Sequence, residues 1–407
     1  MSRIVLGVSA GIAAYKAAAL VRLFGESGHE VEVVPTPASL NFVGVATWEA
    51  LSGRPVHTEV FADAAQVNHV RIGREADLVL VAPATADLMA RAAAGLADDL
   101  LTNVLLTARC PVVFAPAMHT EMWLHPATQH NVATLRSRGV VVLDPGVGRL
   151  TGPDSGPGRL PEPEDLAATA CSLVENPTLS TALAARDLTG RHVLVSAGGT
   201  REALDPVRFL GNSSSGRMGV ALARAAVARG ASVTLVAANL AVPSPAAVEV
   251  VDVSSAAELA DAMRQAAPAA DVIVMAAAVA DFAPDHPQQA KIKKDGDQPL
   301  DLKLTQTPDV LAELVGSARS DQVIVGFAAE TAAGPDELIA LGTAKRARKG
   351  CQVLVANNVS AGAVFGAATN QGYILSQSAP PQQFSGSKLA VAHEILDAAV
   401  AIRERED

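Results

Sequence analysis

Short runs of Val, Ile and Leu alternate with alanine-rich stretches whose apolar residues recur at helical spacing, and the alternation occurs twice along the chain. In the first half the strand-like runs are Ile4–Val8, Val31–Pro35, Leu78–Ala82, Val112–Ala115 and Val140–Leu143. Between them lie helical stretches at Ile12–Gly25, Asp87–Gly95, Asn103–Ala108 and His125–Arg138, and one more helix follows at about Glu164–Val174. In the second half strands are expected at Val193–Ser196, Ser232–Val236, Val272–Ala276, Gln322–Phe327 and Gln352–Ala356. Helices are expected there at Arg217–Arg229, Ala256–Ala266, Asp309–Gly316 and Pro335–Lys349. Strands apolar on both faces belong in parallel sheets covered by helices on each side. The pattern therefore predicts an α/β protein of two doubly wound, Rossmann-like domains, with similar architecture but no sequence repeat. The domains are expected at residues 1–180 and 191–407, joined by a linker at 181–190. From Pro145 to Pro163 the chain is so rich in Gly and Pro that no packed element is expected, which leaves a linker or a flap over a site.

Composition narrows this picture. The 407 residues are 49% hydrophobic but only 3% aromatic, as Val/Ile/Leu strands under alanine helices require. A net charge of −10 disfavours a general nucleic-acid surface, so any basic site is local. Cys110, Cys171 and Cys351 form no CxxC pair, which argues against a disulfide framework or zinc site and fits the cytoplasm. The first residues carry no basic, long apolar leader, and no apolar run suits a membrane span.

Each half opens with a strand that delivers a glycine- and hydroxyl-rich turn to a helix, the geometry that offers free N–H groups and a positive dipole end to a phosphate. The first turn is Gly7-Val8-Ser9-Ala10-Gly11. A dinucleotide site would want a carboxylate closing the second strand, but that strand ends Val34-Pro35-Thr36-Pro37-Ala38-Ser39. Hydroxyls there disfavour NAD and favour a phosphate held by Ser9, Thr36 and Ser39, as in FMN. The third strand ends Val81-Ala82-Pro83-Ala84-Thr85-Ala86-Asp87, small enough for a flat ring to approach Ala84, with Thr85 or Asp87 as helix caps. His69, ahead of an apparent strand, is a candidate base or an ordinary surface residue. His119, His125 and His130 lack convincing metal-ligand spacing. In the second half the turn is Gly198-Gly199-Thr200, followed by a Ser/Gly loop at Asn212–Gly219. Lys291, Lys293 and Lys294 follow a strand-end loop carrying Asp281, and Lys345 and Lys349 are one helical turn apart. Such a lysine run is ordinarily a solvated face, but in an acidic chain and after a strand-end loop it is also a candidate for phosphate groups.

These motifs resemble, over essentially the whole chain, the bacterial bifunctional flavoproteins of coenzyme A synthesis, phosphopantothenoylcysteine decarboxylase joined to phosphopantothenate–cysteine ligase. The first half is similar through Gly7–Lys16, the His69 segment, Ala82–Asp87, Pro116-Ala117-Met118 and the Gly/Pro flap. The second is similar through Thr200–Arg208, Asn212–Gly219, Ala276–Phe282, Lys291–Lys294 and Gly326–Thr331. The resemblance implies an FMN-dependent decarboxylase in which the flavin oxidises the thiol-bearing carbon and creates an electron sink for loss of CO2. It implies that Gly7, Ser9, Gly11, Thr36, Ser39, Ala84 and Thr85 hold FMN, that His69 is catalytic and that His119 meets the substrate carboxylate. His119 stands where the family usually has asparagine, and the flap stretch Leu150–Ser155 lacks the cysteine that family members often use as an acid. For the ligase it implies CTP with Mg2+ and an acyl-cytidylate intermediate. Met275, Ala276, Ala277, Asp281, Lys291, Thr307, Pro308, Asp309, Val310, Phe327, Lys345 and Lys349 would hold the nucleotide, Asn212 and Lys291 would be catalytic, and Arg208 would meet the substrate. Thr307 would cap the helix that follows it. Small-molecule substrates and a homo-oligomer, a dodecamer by family pattern, are also implied. A ligase with an impaired flavin domain and a non-catalytic flavin-binding regulator remain alternatives.

Overall fold

The computed structural model describes residues 1–59, 68–150, 154–245, 247–293, 300–360, 367 and 369–406. Lys294 and Thr151–Pro153, singled out above, lie outside them. The chain divides into two compact units, Met1–Asp187 and Leu188–Asp407.

The first unit runs β1 (Arg3–Val8), α1 (Ala14–Glu26), β2 (Glu30–Pro35), α2 (Val45–Ser52), α3 (Asn68–Glu75), β3 (Leu78–Ala84), α4 (Ala86–Ala94), α5 (Leu100–Thr107), β4 (Val112–Pro116), α6 (Thr120–Leu124), α7 (Pro126–Ser137), β5 (Val141–Val142), β6 (Gly146–Arg149), β7 (Ser155–Arg159), α8 (Pro163–Glu175) and α9 (Leu179–Ala185). Its main sheet has the order β2-β1-β3-β4-β5, and every pairing is parallel. The strand order reverses between β1 and β3, which opens a crevice at their C-terminal ends. Val5, Val79, Val81 and Phe114 from the strands pack with Leu88, Leu101 and Val104 from the helices.

One expectation is corrected here. Residues 145–163 are not devoid of packed elements, because β6 and β7 pair as an antiparallel hairpin. Glycine makes this possible by removing side chains where backbones meet. A Cβ on Gly158 would lie 2.2 Å from the Met118 carbonyl oxygen, while the Gly158 carbonyl accepts from the Met118 N–H at 2.9 Å. In the stretch expected as the linker, 181–190, α9 runs through Ala185 with Leu179 and Leu183 buried.

The second unit runs β8 (His192–Gly198), β9 (Arg201–Asp205), β10 (Arg208–Gly211), α10 (Arg217–Ala228), β11 (Ser232–Ala238), β12 (Glu249–Val253), α11 (Ala256–Ala266), β13 (Val272–Met275), β14 (Phe282–Pro284), β15 (Leu304–Gln306), α12 (Val310–Ser317), β16 (Val323–Glu330), α13 (Pro335–Lys349), β17 (Val353–Asn358), β18 (Thr369–Ser376), β19 (Gln382–Ser387) and α14 (Lys388–Glu406). The sheet order is β12-β11-β8-β13-β16-β17-β18-β19. Its first six strands are parallel, and β18 and β19 add an antiparallel edge. Here the order reverses between β8 and β13. One face is covered by α10 and α14, the other by α11 and α12. Gly198, at φ +89°, ends β8 so close to its neighbour that a Cβ would lie 1.9 Å from the Ala238 oxygen. Buried Arg229 donates to Asp397 at 2.6 Å and to the His393 carbonyl at 3.3 Å, tying the end of α10 to α14.

Among the described residues, no helix is long and apolar enough to cross a membrane.

Candidate active sites at the two switch points

In the first unit the residues singled out at the β1/β3 reversal do converge, but in different capacities. The Ser9 hydroxyl donates to the Pro83 carbonyl at 2.8 Å and accepts from the Thr85 N–H at 3.0 Å, so it stitches the ends of β1 and β3 together. Ser39 donates its hydroxyl to the Thr36 carbonyl at 2.7 Å. Each hydroxyl has a single proton, and in both residues that proton is already used. Thr36 differs: its hydroxyl is buried and has no partner among the described residues. A buried, unpaired hydroxyl is costly unless a ligand completes it, so Thr36 is the donor that fits a phosphate oxygen. Gly7 serves packing, since a Cβ there would lie 2.6 Å from Leu101. At Gly11 a Cβ would meet only ordinary contacts. Thr85 is the N-cap of α4, accepting from the Leu88 N–H at 3.4 Å, while Asp87 pairs with Arg91 at 3.1 Å. Ala84 is fully buried at the end of β3.

His69 stands in the first turn of α3 rather than ahead of a strand, because Asn68–Glu75 buries Asn68, Ile72 and Gly73 at helical spacing. Its carbonyl accepts from the Thr107 hydroxyl at 2.9 Å, which anchors the backbone. Its ring Nδ1 is buried and without a partner among the described residues. Exposed His119 precedes α6 with no capping bond, in the segment on which the β6–β7 hairpin rests. His125 is occupied as the N-cap of α7. No group of three His, Cys, Asp or Glu side chains with metal-binding geometry occurs among the described residues.

The second unit holds a cavity of about 1020 Å³ at the β8/β13 reversal, enough for a nucleotide beside a smaller substrate. Its wall includes Asn212, Met275, Ala276, Ala277, Asp281, Thr307, Pro308, Asp309, Val310, Phe327, Lys345 and Lys349, which sequence reasoning had grouped together. The loops are fixed from below: Thr200 Oγ1 accepts from the Ala280 N–H at 2.9 Å, and the Ala278 N–H donates to the Gly198 carbonyl at 2.8 Å. Asn212 donates to the Val279 carbonyl at 2.9 Å, bringing the Ser/Gly loop against the loop after β13. Thr307 does not cap α12; its hydroxyl donates to the Ala280 carbonyl at 2.5 Å, and Asp309 is the cap, accepting from the Ala312 N–H at 3.2 Å. Lys345 pairs with Glu330 at 2.9 Å, and Lys349 pairs closely with Asp309. Burial tends to raise the Asp309 carboxyl, but Lys349, the Ala312 N–H and Arg348 outweigh it and leave its pKa below the usual carboxylate range.

Lys291 and Arg208 are not on this cavity wall. Arg208 instead contacts the residue next to Lys291, through an aspartate that was not among the expected site residues. The Asp205 carboxylate is buried and accepts from the N–H groups of Val207 at 2.8 Å, Arg208 at 2.8 Å and Ile292 at 3.0 Å. Arg208 Nη1 donates both to Asp205 at 2.7 Å and to the Ile292 carbonyl at 3.0 Å. Both ends of residue 292 are thereby clamped, which sets the backbone from which Lys291 projects. Burial alone would raise the Asp205 carboxyl; the three N–H groups and Arg208 hold it below its ordinary value. Lys388 and Asn370, also missed, line the cavity from the last elements of the unit. The signal for Lys388 was the helical spacing of Val391, Ala392, Ile395, Leu396 and Ala399 that follow it, all buried.

Residues 1–175 match the flavoprotein family, and residues 188–402 match the family described as DNA/pantothenate metabolism flavoprotein C-terminal domain. The chain is 55% identical over 413 residues to the Coenzyme A biosynthesis bifunctional protein CoaBC of Mycolicibacterium smegmatis, covering 100% of this chain and 99% of the relative. The chain belongs to the family of coenzyme A biosynthesis bifunctional proteins. Its similarity to the protein of the same name from Mycobacterium tuberculosis (strain H37Rv) is 56% identity over 405 residues, 98% of this chain and 96% of the relative. The Vibrio cholerae member is 42% identical over 361 residues, 88% of this chain and 87% of the relative. Membership in this family assigns the chain to coenzyme A biosynthesis, with a flavoprotein unit first and a pantothenate-metabolism unit second.

Proposed function

We propose that the second unit joins 4'-phosphopantothenate to cysteine at the expense of CTP, and that the first unit, carrying FMN, decarboxylates the resulting 4'-phosphopantothenoylcysteine to 4'-phosphopantetheine. The observation that carries this reading is the cavity at the β8/β13 reversal, where Asn212, the carboxylates of Asp281 and Asp309 and the ammonium groups of Lys345, Lys349 and Lys388 line one wall from separate elements. A carboxylate oxygen is a poor leaving group. Attack on the α-phosphate of CTP releases pyrophosphate and makes an acyl-cytidylate; the cysteine amine then displaces CMP. Lys345, Lys349 and Lys291 offset phosphate charge as it develops, together with Mg2+. Asn212 orients the acyl group, and Arg208, held by Asp205, meets the substrate.

In the first unit the unpartnered Thr36 hydroxyl and the crevice between β1 and β3 suit a flavin phosphate, with Ser9, Ser39 and Thr85 shaping the loops around it. Bound flavin supplies the electron sink for loss of CO2. His69 moves the proton at its Nδ1, and His119 donates a hydrogen bond to the departing carboxylate. The reading includes a cytoplasmic home, consistent with three free thiols, and a homo-oligomer, consistent with exposed Ile12, Tyr15, Leu124, Val207 and Phe209.

The test is a full-length assay with phosphopantothenate, cysteine and CTP, following pyrophosphate and CO2 separately, beside an absorbance spectrum of the purified protein. Both products and a bound flavin are expected. Pyrophosphate without CO2 would leave a ligase with an impaired flavin unit, the reading favoured by the cysteine-free stretch at Leu150–Ser155. A flavin spectrum with neither product would leave a flavin-binding regulator.

A further inference from the structure

Three lysines line the ligase cavity, and they are not equivalent. Lys345 and Lys349 each face a carboxylate. Lys388, the first residue of α14, is 9% exposed, and its ammonium donates to the Thr369 carbonyl at 3.1 Å. No carboxylate lies within ion-pair distance of it among the described residues. An ammonium has three protons to place, and a single neutral carbonyl leaves most of its charge unanswered. Burying such a group is expensive unless an anion arrives. Burial and then Arg217 both press its pKa below the ordinary lysine value. Arg217 is the first residue of α10, directly after the Ser/Gly loop, and it lines the same cavity. Asn370 contributes an amide beside them, its Nδ2 lying 3.8 Å from Met218 Sδ.

We propose that Lys388, with Arg217 and Asn370, forms an oxyanion subsite of the ligase cavity that takes a phosphoryl group. Two like charges, a helix start and an amide donor at one corner suit a multiply charged phosphate better than a single carboxylate. The ligation offers two sources for that group, the polyphosphate of the nucleotide and the phosphate of the acid substrate. The inference rests on the ligase reading above, and the experiment uses whichever nucleoside triphosphate supports turnover of the wild type.

In full-length protein, K388Q and K388R are compared with wild type for the KM of nucleotide, the KM of phosphopantothenate, the KM of cysteine and inhibition by inorganic pyrophosphate. K388Q is expected to weaken one phosphorylated ligand by roughly tenfold or more, with K388R recovering much of the loss and the cysteine KM unchanged. Joint loss of nucleotide and pyrophosphate affinity identifies the polyphosphate as the occupant; loss confined to phosphopantothenate identifies the acid's phosphate. Unchanged constants in all the phosphate arms overturn the proposal. Should K388Q fail to fold, acetic anhydride labelling of Lys388 in wild type decides the matter by mass spectrometry. Protection by pyrophosphate or by phosphopantothenate is expected, and equal labelling with and without them overturns it. A wild type that turns over no nucleotide would refute the ligase reading instead.

Discussion

The two crevices occupy the same topological position and are built from opposite materials. In the first unit, backbone and hydroxyl groups surround the strand ends, and two of the three hydroxyls are spent on holding loops. In the second, charges line the wall: Lys345 with Glu330, Lys349 with Asp309, and Lys388 against a carbonyl, with no carboxylate partner among the described residues. The contrast fits the chemistry proposed above for each crevice. A flavin brings its own electron sink, so the protein needs to grip a phosphate and move a proton. Activating a carboxylate with a triphosphate concentrates negative charge at one point, and only fixed cations and a metal offset it.

That contrast makes the expected effects asymmetric. Replacing His69 with Asn should lower decarboxylation by roughly 10²–10⁴-fold, the usual worth of a positioned proton-transfer group, while the protein keeps its flavin absorbance. Full CO2 release from this variant would mean that the first crevice uses another base. Lys291→Met should slow ligation by roughly 10²–10³-fold, as loss of one electrostatic stabiliser does. Normal pyrophosphate release would show that this lysine, off the cavity wall here, never approaches the nucleotide. Thr36→Val should weaken FMN binding by roughly 10–100-fold, measured by recovery of flavin fluorescence on dilution, because a hydrogen bond to a charged group is lost. Ser39→Ala, whose hydroxyl already has a partner, should affect FMN affinity less; the reverse ranking would refute the division of labour between these hydroxyls.

Asp205→Asn should give the smallest change, roughly tenfold in ligation rate, through displacement of Lys291. Its pH signature is more telling. The folded carboxyl sits below its ordinary pKa. The stability it lends is therefore fully present above the unfolded-state value and is lost as pH falls through the lower folded one. Wild type and variant should differ in melting temperature near neutrality and converge in acid. A gap that persists at low pH would mean that shape, not charge, holds residue 292.

Much of the architecture was legible from spacing alone. Uninterrupted apolar runs such as Leu78–Ala82 and Val323–Val325 belong to strands covered on both faces, and the alanine stretches between them suit helices packed on a sheet. Ala256–Ala266 and Pro335–Lys349 matched to the residue, since Ser255 caps the first and Pro335 with Gly350 bounds the second. What escaped was held together by partners distant in sequence. The β6–β7 hairpin depends on Gly158 meeting the Met118 carbonyl, which no local rule anticipates. Asp205 reads as a turn residue until Ile292, 87 positions away, is brought to it. Ser9 and Ser39 look like phosphate ligands in a sequence, because a hydroxyl's chemistry is visible there but the destination of its single proton is not.

The chain's order of residues alone determined two α/β units, the places where each sheet reverses, and the loops that reach those places, because burial periodicity and turn chemistry act over short distances. Only the tertiary structure decided which side chains are already satisfied and which remain free. Among the described residues, the Thr36 hydroxyl stands apart from those of Ser9 and Ser39 in having no partner, and Lys388 stands apart from Lys345 and Lys349 in meeting a carbonyl rather than a carboxylate; pairing in three dimensions is set by packing rather than by spacing along the chain.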